Sequence, residues 1–209
     1  MTENRPAATS RRSREDWTAV ALEALAEGGV AAVAVEPLAA RLGATKGSAY
    51  WHFKNRDDLL RGALERWEAE HTEAVIDRIA ARPDPRERLR ALFATALGDL
   101  LGNAVEAALQ NAAHHPVVAP ALQRVTERRI GYLTTLYTRL GFPPARARRR
   151  ALLAYTAYLG HIQLHRSLPA LLPGSAARRA YLDQALGVLT APTADQHGDQ
   201  PGLDSRDHG

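Results

Sequence analysis

The chain has no cysteine among its 209 residues, which removes structural disulfides, thiolate metal sites and thiol redox sensing from the chemistry open to it. Methionine occurs only as Met1, so the adaptable thioether lining of promiscuous binding surfaces is missing too. No window approaches the roughly eighteen apolar residues of a membrane span. The first fourteen residues carry Arg5, Arg11, Arg12 and Arg14 with no apolar run behind them, unlike a secretory signal, and the cytoplasm is the expected compartment. Alternation of β-branched residues is almost absent, so no sheet is expected. Lysine is scarce: every basic residue other than Lys46 and Lys54 is arginine.

What remains is an ordinary globular composition, 45% apolar and 24% charged, which excludes a collagenous, mucin-like or wholly disordered chain. The length suits one large domain or two small ones. A formal charge of +4 is too small a total to argue for a nucleic-acid partner. Its distribution is more informative. Residues 1–14 set four arginines against Glu3, while residues 192–209 set Arg206 against Asp195, Asp199, Asp204 and Asp207. The two ends cancel, and the two lysines lie eight residues apart in the body.

Apolar residues recur at three and four from residue 14 to 190, predicting an all-α fold of about nine helices. Trp17, Val20, Ala21, Ala24 and Leu25 mark a first helix over 14–28, closed by Gly28-Gly29. Pro37 fits the first turn of a second helix that Gly43 ends. Thr45 can cap a third over 46–52 through its hydroxyl, with Ala49 and Phe53 turned inward. A fourth opens at Asn55 or Arg56 with Asp57 and Asp58 complementing its dipole, and runs until Arg82-Pro83-Asp84-Pro85. Helices over 86–101, 104–113, 118–140, 144–167 and 175–190 follow, bounded by Gly102-Asn103, His115-Pro116, Gly141 to Pro144 and Pro169 to Gly174. The expected organisation is a disordered basic arm (1–13), a helix-turn-helix domain (14–56), a second helical domain (57–190), to which the family resemblance given below assigns ligand binding and dimerisation, and a disordered acidic tail (191–209).

A short helix, a glycine-containing turn and a second short helix make the motif whose second helix enters the DNA major groove. The exposed chemistry fits that use. Gly47 lets backbone approach a base edge or phosphate, Ser48 can bond either, and Tyr50 can reach a phosphate from a rigid ring. Thr45, Lys46 and the first-turn amides form a positive helix end. Trp51 and His52 lie on the same stretch, and Lys54 and Arg56 flank its exit.

The segment Leu38-Ala39-Ala40-Arg41-Leu42-Gly43 through Gly47, Tyr50, His52-Phe53 and Leu59-Leu60 resembles the DNA-binding signature of TetR-family transcriptional regulators. The likeness extends from about Arg14 to Trp67. It implies a homodimer, a palindromic operator in double-stranded DNA, and a small molecule whose binding releases the protein as a repressor. It also implies phosphate contacts at Tyr50 and Lys54 and recognition-helix positions at Thr45, Lys46, Gly47, Ser48, Trp51 and His52. Two residues depart from the family pattern. Arg56 stands where lysine is usual, and Ala34 stands where Ser or Thr often caps, leaving Glu36 or the Val35 backbone to cap the second helix at a cost of about 1 kcal/mol.

The resemblance points to an effector cavity among helices four to eight, for which the candidates are Trp67, His71, Phe93, Leu97, Asn111, His114, Tyr132, Tyr137, Tyr155 and Tyr158. An apolar or aromatic effector with one or two hydrogen-bonding groups suits them. The dimer is expected through the last two long helices, where Ala151, Ala154, Ala157 and Gly160 with Leu153, Leu159, Ala185 and Leu189 permit close packing. Glu68 and His71 share the spacing of a di-iron motif and His161 and His165 that of a two-ligand pair, but each lacks the further ligands a metal needs. No cofactor and no enzymatic activity are expected. The rival function is an effector-independent, architectural DNA-binding protein with the same helix-turn-helix.

Overall fold

A computed structural model describes residues 12–98 and 100–191, which form nine helices and a single 3-10 turn with no strand among them. Ser13 starts α1 (Arg14–Ala32) with a reciprocal cap: its hydroxyl accepts the Asp16 N–H at 3.1 Å, and the Asp16 carboxylate accepts the Ser13 N–H at 2.9 Å. Gly29, at φ +68°, breaks the helix one residue beyond the expected end, and a last turn carries it to Ala32.

Helix α2 (Val35–Leu42) begins two residues before Pro37, and Ala34 at its N-cap offers no side-chain cap. Glu36 does not supply one either, because it is paired with Lys46 instead. Gly43 ends α2 in the left-handed region at φ +59°, and this makes the sharp turn into α3 (Lys46–Tyr50). Thr45 occupies the cap position, but its hydroxyl makes no capping bond, and its carbonyl accepts the Ser48 N–H at 3.0 Å. Helix α3 is two residues shorter than expected. The N–H groups of His52 and Phe53 both donate to the Ala49 carbonyl at 2.9 Å, tightening the chain before Asn55 caps the next helix.

Helix α4 spans 56–80. Its first part, Arg56–Glu68, and its last, Ala74–Ala80, are α-helical, and a π turn, Ala69–Glu73, joins them. Helices α5 (Pro85–Gly98) and α6 (Leu100–Asn111) follow. The expected break at Gly102-Asn103 falls inside α6, where Asn103 reaches back to donate to the Ala96 carbonyl at 2.8 Å. Helices α7 (Val118–Arg139), α8 (Pro144–Ser167) and α9 (Ser175–Thr190) keep the expected bounds to within a residue. Arg150, from the basic cluster of α8, donates to the carbonyls of Val188, Leu189 and Ala191 and so closes α9. Near the start of α7, His115 accepts the Val117 N–H at 3.2 Å.

Two buried clusters organise these helices. The first joins Trp17 and Leu25 of α1, Leu38 of α2, Ala49, Phe53, and Leu60 and Trp67 of α4 to Val105 and Leu109 of α6 and to Leu122 and Val125 of α7. The second gathers Leu89 and Phe93 of α5, Leu133 and Tyr137 of α7, Ala151 and Tyr155 of α8, and Leu186 and Leu189 of α9. Among the described residues no single helix is long and apolar enough to cross a membrane.

Gly43 sets the angle between α2 and α3, and an L side chain there resists the left-handed conformation. Gly43→Ala is expected to cost about 1–2 kcal/mol, lowering the thermal midpoint by roughly 2–8 °C in a calorimetric or circular-dichroism melt.

Candidate nucleic-acid interface and neighbouring cavity

Ala49 and Phe53, both almost fully buried, seat α3 on α1 and α4. Burying that side leaves Thr45, Lys46, Gly47, Tyr50, Trp51 and Lys54 exposed, with Ser48 half-buried beside them. Tyr50 is 51% and Trp51 74% exposed, large for aromatic side chains in a folded chain. A Cβ added to Gly47 would meet nothing nearer than the Thr45 hydroxyl at 3.9 Å. The chain's own packing therefore does not require glycine there, and the room it leaves lies outside.

Lys46 Nζ lies 2.5 Å from Glu36 Oε1, a contact that raises the ammonium above its ordinary pKa and lowers the carboxylate below its own. The pair ties the first residue of α3 to α2. Two of the expected face residues are turned to other work. His52 is half-buried, with Nε2 2.9 Å from the Arg12 carbonyl, while Arg12 donates from Nε to the Leu42 carbonyl at 2.8 Å. Arg12 and His52 thus strap the start of the described chain across the motif. Arg56 donates from Nε to the Val33 carbonyl at 2.7 Å and from Nη2 to the Val30 carbonyl. Its guanidinium closes the end of α1 and holds α4 against it.

In the second part of the chain, α4, α5, α6, α7 and α8 line a partly open cavity of about 70 Å³. His71, Phe93, Tyr132, Tyr155 and Tyr158 line it, as the sequence suggested, together with Thr72, Val75, Ile76, Leu92, Asn103, Arg129 and Leu133, which it did not. Other candidates lie elsewhere. Trp67 is fully buried beneath the Arg129 guanidinium, 5.2 Å from its ring centre. Tyr137 is core, edge-on to Phe142. Leu97 borders a separate pocket with His161, His165 and Tyr181, in which His161 stacks on Tyr181. Asn111 and His114 are exposed at the end of α6 and just beyond it.

Arg129, on the cavity wall, belongs to a buried ion pair. Arg129 Nη1 donates to Glu106 Oε2 at 2.6 Å, its Nε to the Thr72 hydroxyl at 2.9 Å, and its Nη2 to the His71 carbonyl at 3.2 Å. Glu106 is fully buried and also accepts from Gln110 at 2.9 Å and from the Tyr155 hydroxyl at 3.4 Å. Burial, reinforced by the Glu106 charge, pushes the Tyr155 phenol up to about 12, so it stays a neutral donor. A single acid inside the apolar run Ala104-Val105-Glu106-Ala107-Ala108-Leu109 was the signal available in the sequence, since a charge on a core-facing helix needs a partner.

Two further arginines of α7 extend this pair into a ladder. Arg124 grips Glu68 with two nitrogens, the closer contact at 2.5 Å, and Arg128 grips Glu73 likewise at 2.8 Å. Glu68 is thereby paired with Arg124. The arginines are four residues apart on α7 and the glutamates five apart on α4. A π turn accommodates one more residue than an α turn, and the one between Glu68 and Glu73 brings the unequal spacings into register.

Residues 18–63 match the family model of bacterial regulatory proteins, tetR family. No curated protein matches the chain. Among solved structures, the fold is similar to that of a TetR-family transcriptional regulator from Agrobacterium tumefaciens. The two are 21% identical, with a TM-score of 0.69, and the match covers 82% of this chain and 96% of that one. A TetR transcriptional regulator from Legionella pneumophila is 18% identical with a TM-score of 0.70, over 83% of this chain and 97% of that one. AibR, solved with isovaleryl coenzyme A and operator DNA, is 17% identical with a TM-score of 0.64, over 88% and 100%.

Removing one member of the buried pair leaves a charge without compensation. Glu106→Ala is expected to destabilise the chain by about 3–5 kcal/mol in chemical denaturation. The double variant Glu106→Leu, Arg129→Met is expected to recover most of that loss.

Proposed function

We propose that this chain, which carries the N-terminal DNA-binding domain of the tetR family of bacterial regulatory proteins, is a ligand-responsive transcriptional repressor that leaves a palindromic operator when a small molecule occupies the cavity. One observation carries the reading: α4 belongs to both parts. Its first half buries Leu59, Leu60, Leu64 and Trp67 with the helix-turn-helix, and its second half lines the cavity through His71, Thr72, Val75 and Ile76. That AibR was solved with an acyl coenzyme A and operator DNA supports a pairing of the two ligand types on this fold. The cavity also argues against the architectural alternative, for which a solid second domain would suffice.

In this mechanism Tyr50 and Lys54 hold phosphates, while Lys46, Gly47 and Ser48 read the groove. Thr45 and Trp51 flank that contact, and His52 and Arg56 hold the motif in place from behind. The boundary near residue 56 separates the motif in sequence, but the rod that crosses it makes the two parts mechanically continuous. Ligand between α4 and α7 strains the ladder at the π turn and tilts α4, and the tilt carries α3 with it. A tenfold loss of operator affinity needs only about 1.4 kcal/mol of difference in ligand affinity between the two arrangements.

Two such motifs must be presented together, their recognition helices about 34–36 Å apart or a multiple of that. The exposed stripe Leu153, Ala157, Gly160 and Leu164 on α8, beside the exposed Val188 of α9, supports a homodimer through these two helices. Ala151, Ala154 and Leu189 do not belong to that stripe, because they are spent on the protomer's own core.

Operator binding measured by mobility shift is expected to fall in Tyr50→Phe and Lys54→Ala by similar factors on every sequence, with Lys54→Ala reducing the salt slope by about one. Lys46→Ala is expected to change the preferred sequence; unchanged preference and affinity would remove Lys46 from the readout. A ligand that binds the cavity is expected to release the operator, and DNA affinity indifferent to every bound ligand would refute the allosteric reading.

A further inference from the structure

The two lysines that bracket the proposed recognition helix are held differently. Lys54 stands exposed at the exit of the motif, with no ion pair among the described residues. Lys46, the first residue of α3, has its Nζ 2.5 Å from Oε1 of Glu36, the second residue of α2. Their mutual hydrogen bond, then their opposite charges, raise the ammonium above its ordinary pKa and lower the carboxylate below its own, so both stay charged at neutral pH. The two side chains remain 54% and 70% exposed. A pair so open to water contributes little to folding.

A carboxylate on a surface that meets DNA is costly, because the phosphates repel it. Lys46 removes that cost but cannot then serve as a plain phosphate contact, since leaving Glu36 would expose the carboxylate beside the same phosphate. The pair is better matched to the edge of a base pair. In the major groove guanine presents acceptors at O6 and N7 and cytosine a donor at N4, and O6 and N4 of one G·C pair are hydrogen-bonded to each other, about 2.9 Å apart. Nζ and Oε1 stand side by side at nearly that separation, a donor next to an acceptor. The ammonium has three N–H groups and uses one on Glu36, which leaves two for O6 and N7. The carboxylate keeps lone pairs for the N4 amino group. An A·T pair fits less well, because a methyl group stands beside thymine O4 where the ammonium would need its second acceptor.

Access to the pair is open. A Cβ on the adjoining Gly47 would meet nothing nearer than the Thr45 hydroxyl at 3.9 Å, so a base edge can come close to the first turn of α3. The first residues of a recognition helix are those that contact bases. We infer that Glu36 and Lys46 act as one unit that reads a single G·C pair in each half of the operator, Lys46 donating to guanine O6 and N7 and Glu36 accepting from cytosine N4. Glu36, which lies on α2 and not on the recognition helix, is thereby a specificity-determining residue. The inference rests on the DNA-binding reading of the motif and is independent of any effector.

The probe is a pool of duplexes with a randomised core, from which the full chain, Glu36→Gln and Lys46→Ala each select binders by mobility shift. The unaltered chain is expected to select a G·C pair at one position of each half-site, and both variants to relax the preference at that same position. Replacing that pair by A·T is expected to weaken the unaltered chain by about tenfold or more and either variant far less. Putting 7-deazaguanine there, which lacks only the N7 acceptor, is expected to weaken the unaltered chain and leave Lys46→Ala unmoved; the first of these measurements does not depend on any variant folding. A shared position that is not G·C, variants that alter different base pairs, a Glu36→Gln that alters none, or indifference of the unaltered chain to the loss of N7 would each overturn the inference and leave the DNA-binding reading standing. So would a uniform gain of affinity in Glu36→Gln on every duplex with a salt slope steeper by about one, because Glu36 would then only withhold Lys46 from phosphates. If the unaltered chain enriched no sequence and shifted no duplex, the DNA-binding reading would fall and this one with it.

Discussion

The contact between α4 and α7 is the constraint on which the rest of this structure depends. Arg129 meets four things at once: the face of Trp67, the Thr72 hydroxyl, the His71 carbonyl and the Glu106 carboxylate. Three of these lie on α4 and the last on α6. A buried guanidinium is tolerable only when its donors and its charge are all answered, so the position of α4 relative to α6 and α7 is narrowly set. Arg124 and Arg128 add grips on either side of the π turn, though more exposed pairs of that kind contribute less each. Uncoiling the π turn to a regular α turn would move Glu73 out of register with Arg128. The distortion is therefore held by side chains from another helix, and it lies on the cavity wall.

The same helix fixes the surface proposed to face DNA. Arg14 lies over the Phe53 ring at 5.1 Å, Arg56 binds the last carbonyls of α1, and Gly62 lets α4 come close to Thr18 and Phe53. A Cβ at position 62 would sit 3.0 Å from Thr18 Cγ2 and 3.1 Å from Phe53 Cε1, so the closeness of α1 and α4 needs glycine there. Basic residues near the motif thus divide by what their donors already do. Arg12, Arg14 and Arg56 brace it, whereas Lys54 stands exposed at its exit and Lys46 is tethered to α2 through Glu36. Arginine's fork suits carbonyl and ring contacts inside a fold, and lysine's flexible point charge suits the phosphate contacts proposed for this surface.

Much of this was legible beforehand. The positions of Gly43, Asn55, Pro83 and Gly141 marked helix ends because left-handed backbone, side-chain caps and missing amides act locally, within a turn of the residue concerned. The helix-turn-helix face was legible for the same reason: once Ala49 and Phe53 are placed inward, the rest of α3 has only one side left. The cavity was half legible. Aromatics at helical spacing could be collected as candidates, but nothing in their spacing separates Tyr132, which lines the cavity, from Tyr137, which is core. These two lie five residues apart on one helix, and their fates depend on which neighbours cover them.

Taken alone, the amino-acid order determined the all-helical architecture, the short-helix, glycine, short-helix motif, and the exclusion of thiol chemistry, because each depends on residue type and short-range spacing. Only the tertiary structure decided that Arg56 and His52 brace the motif rather than face outward, that Glu36 pairs with Lys46 instead of capping α2, and that Arg129, on the cavity wall, is neutralised by Glu106. Those outcomes join residues 10 to 40 positions apart, and the free energy of an ion pair or a buried donor depends on which distant groups the packing brings within about 3 Å. Local sequence carries no record of that distance.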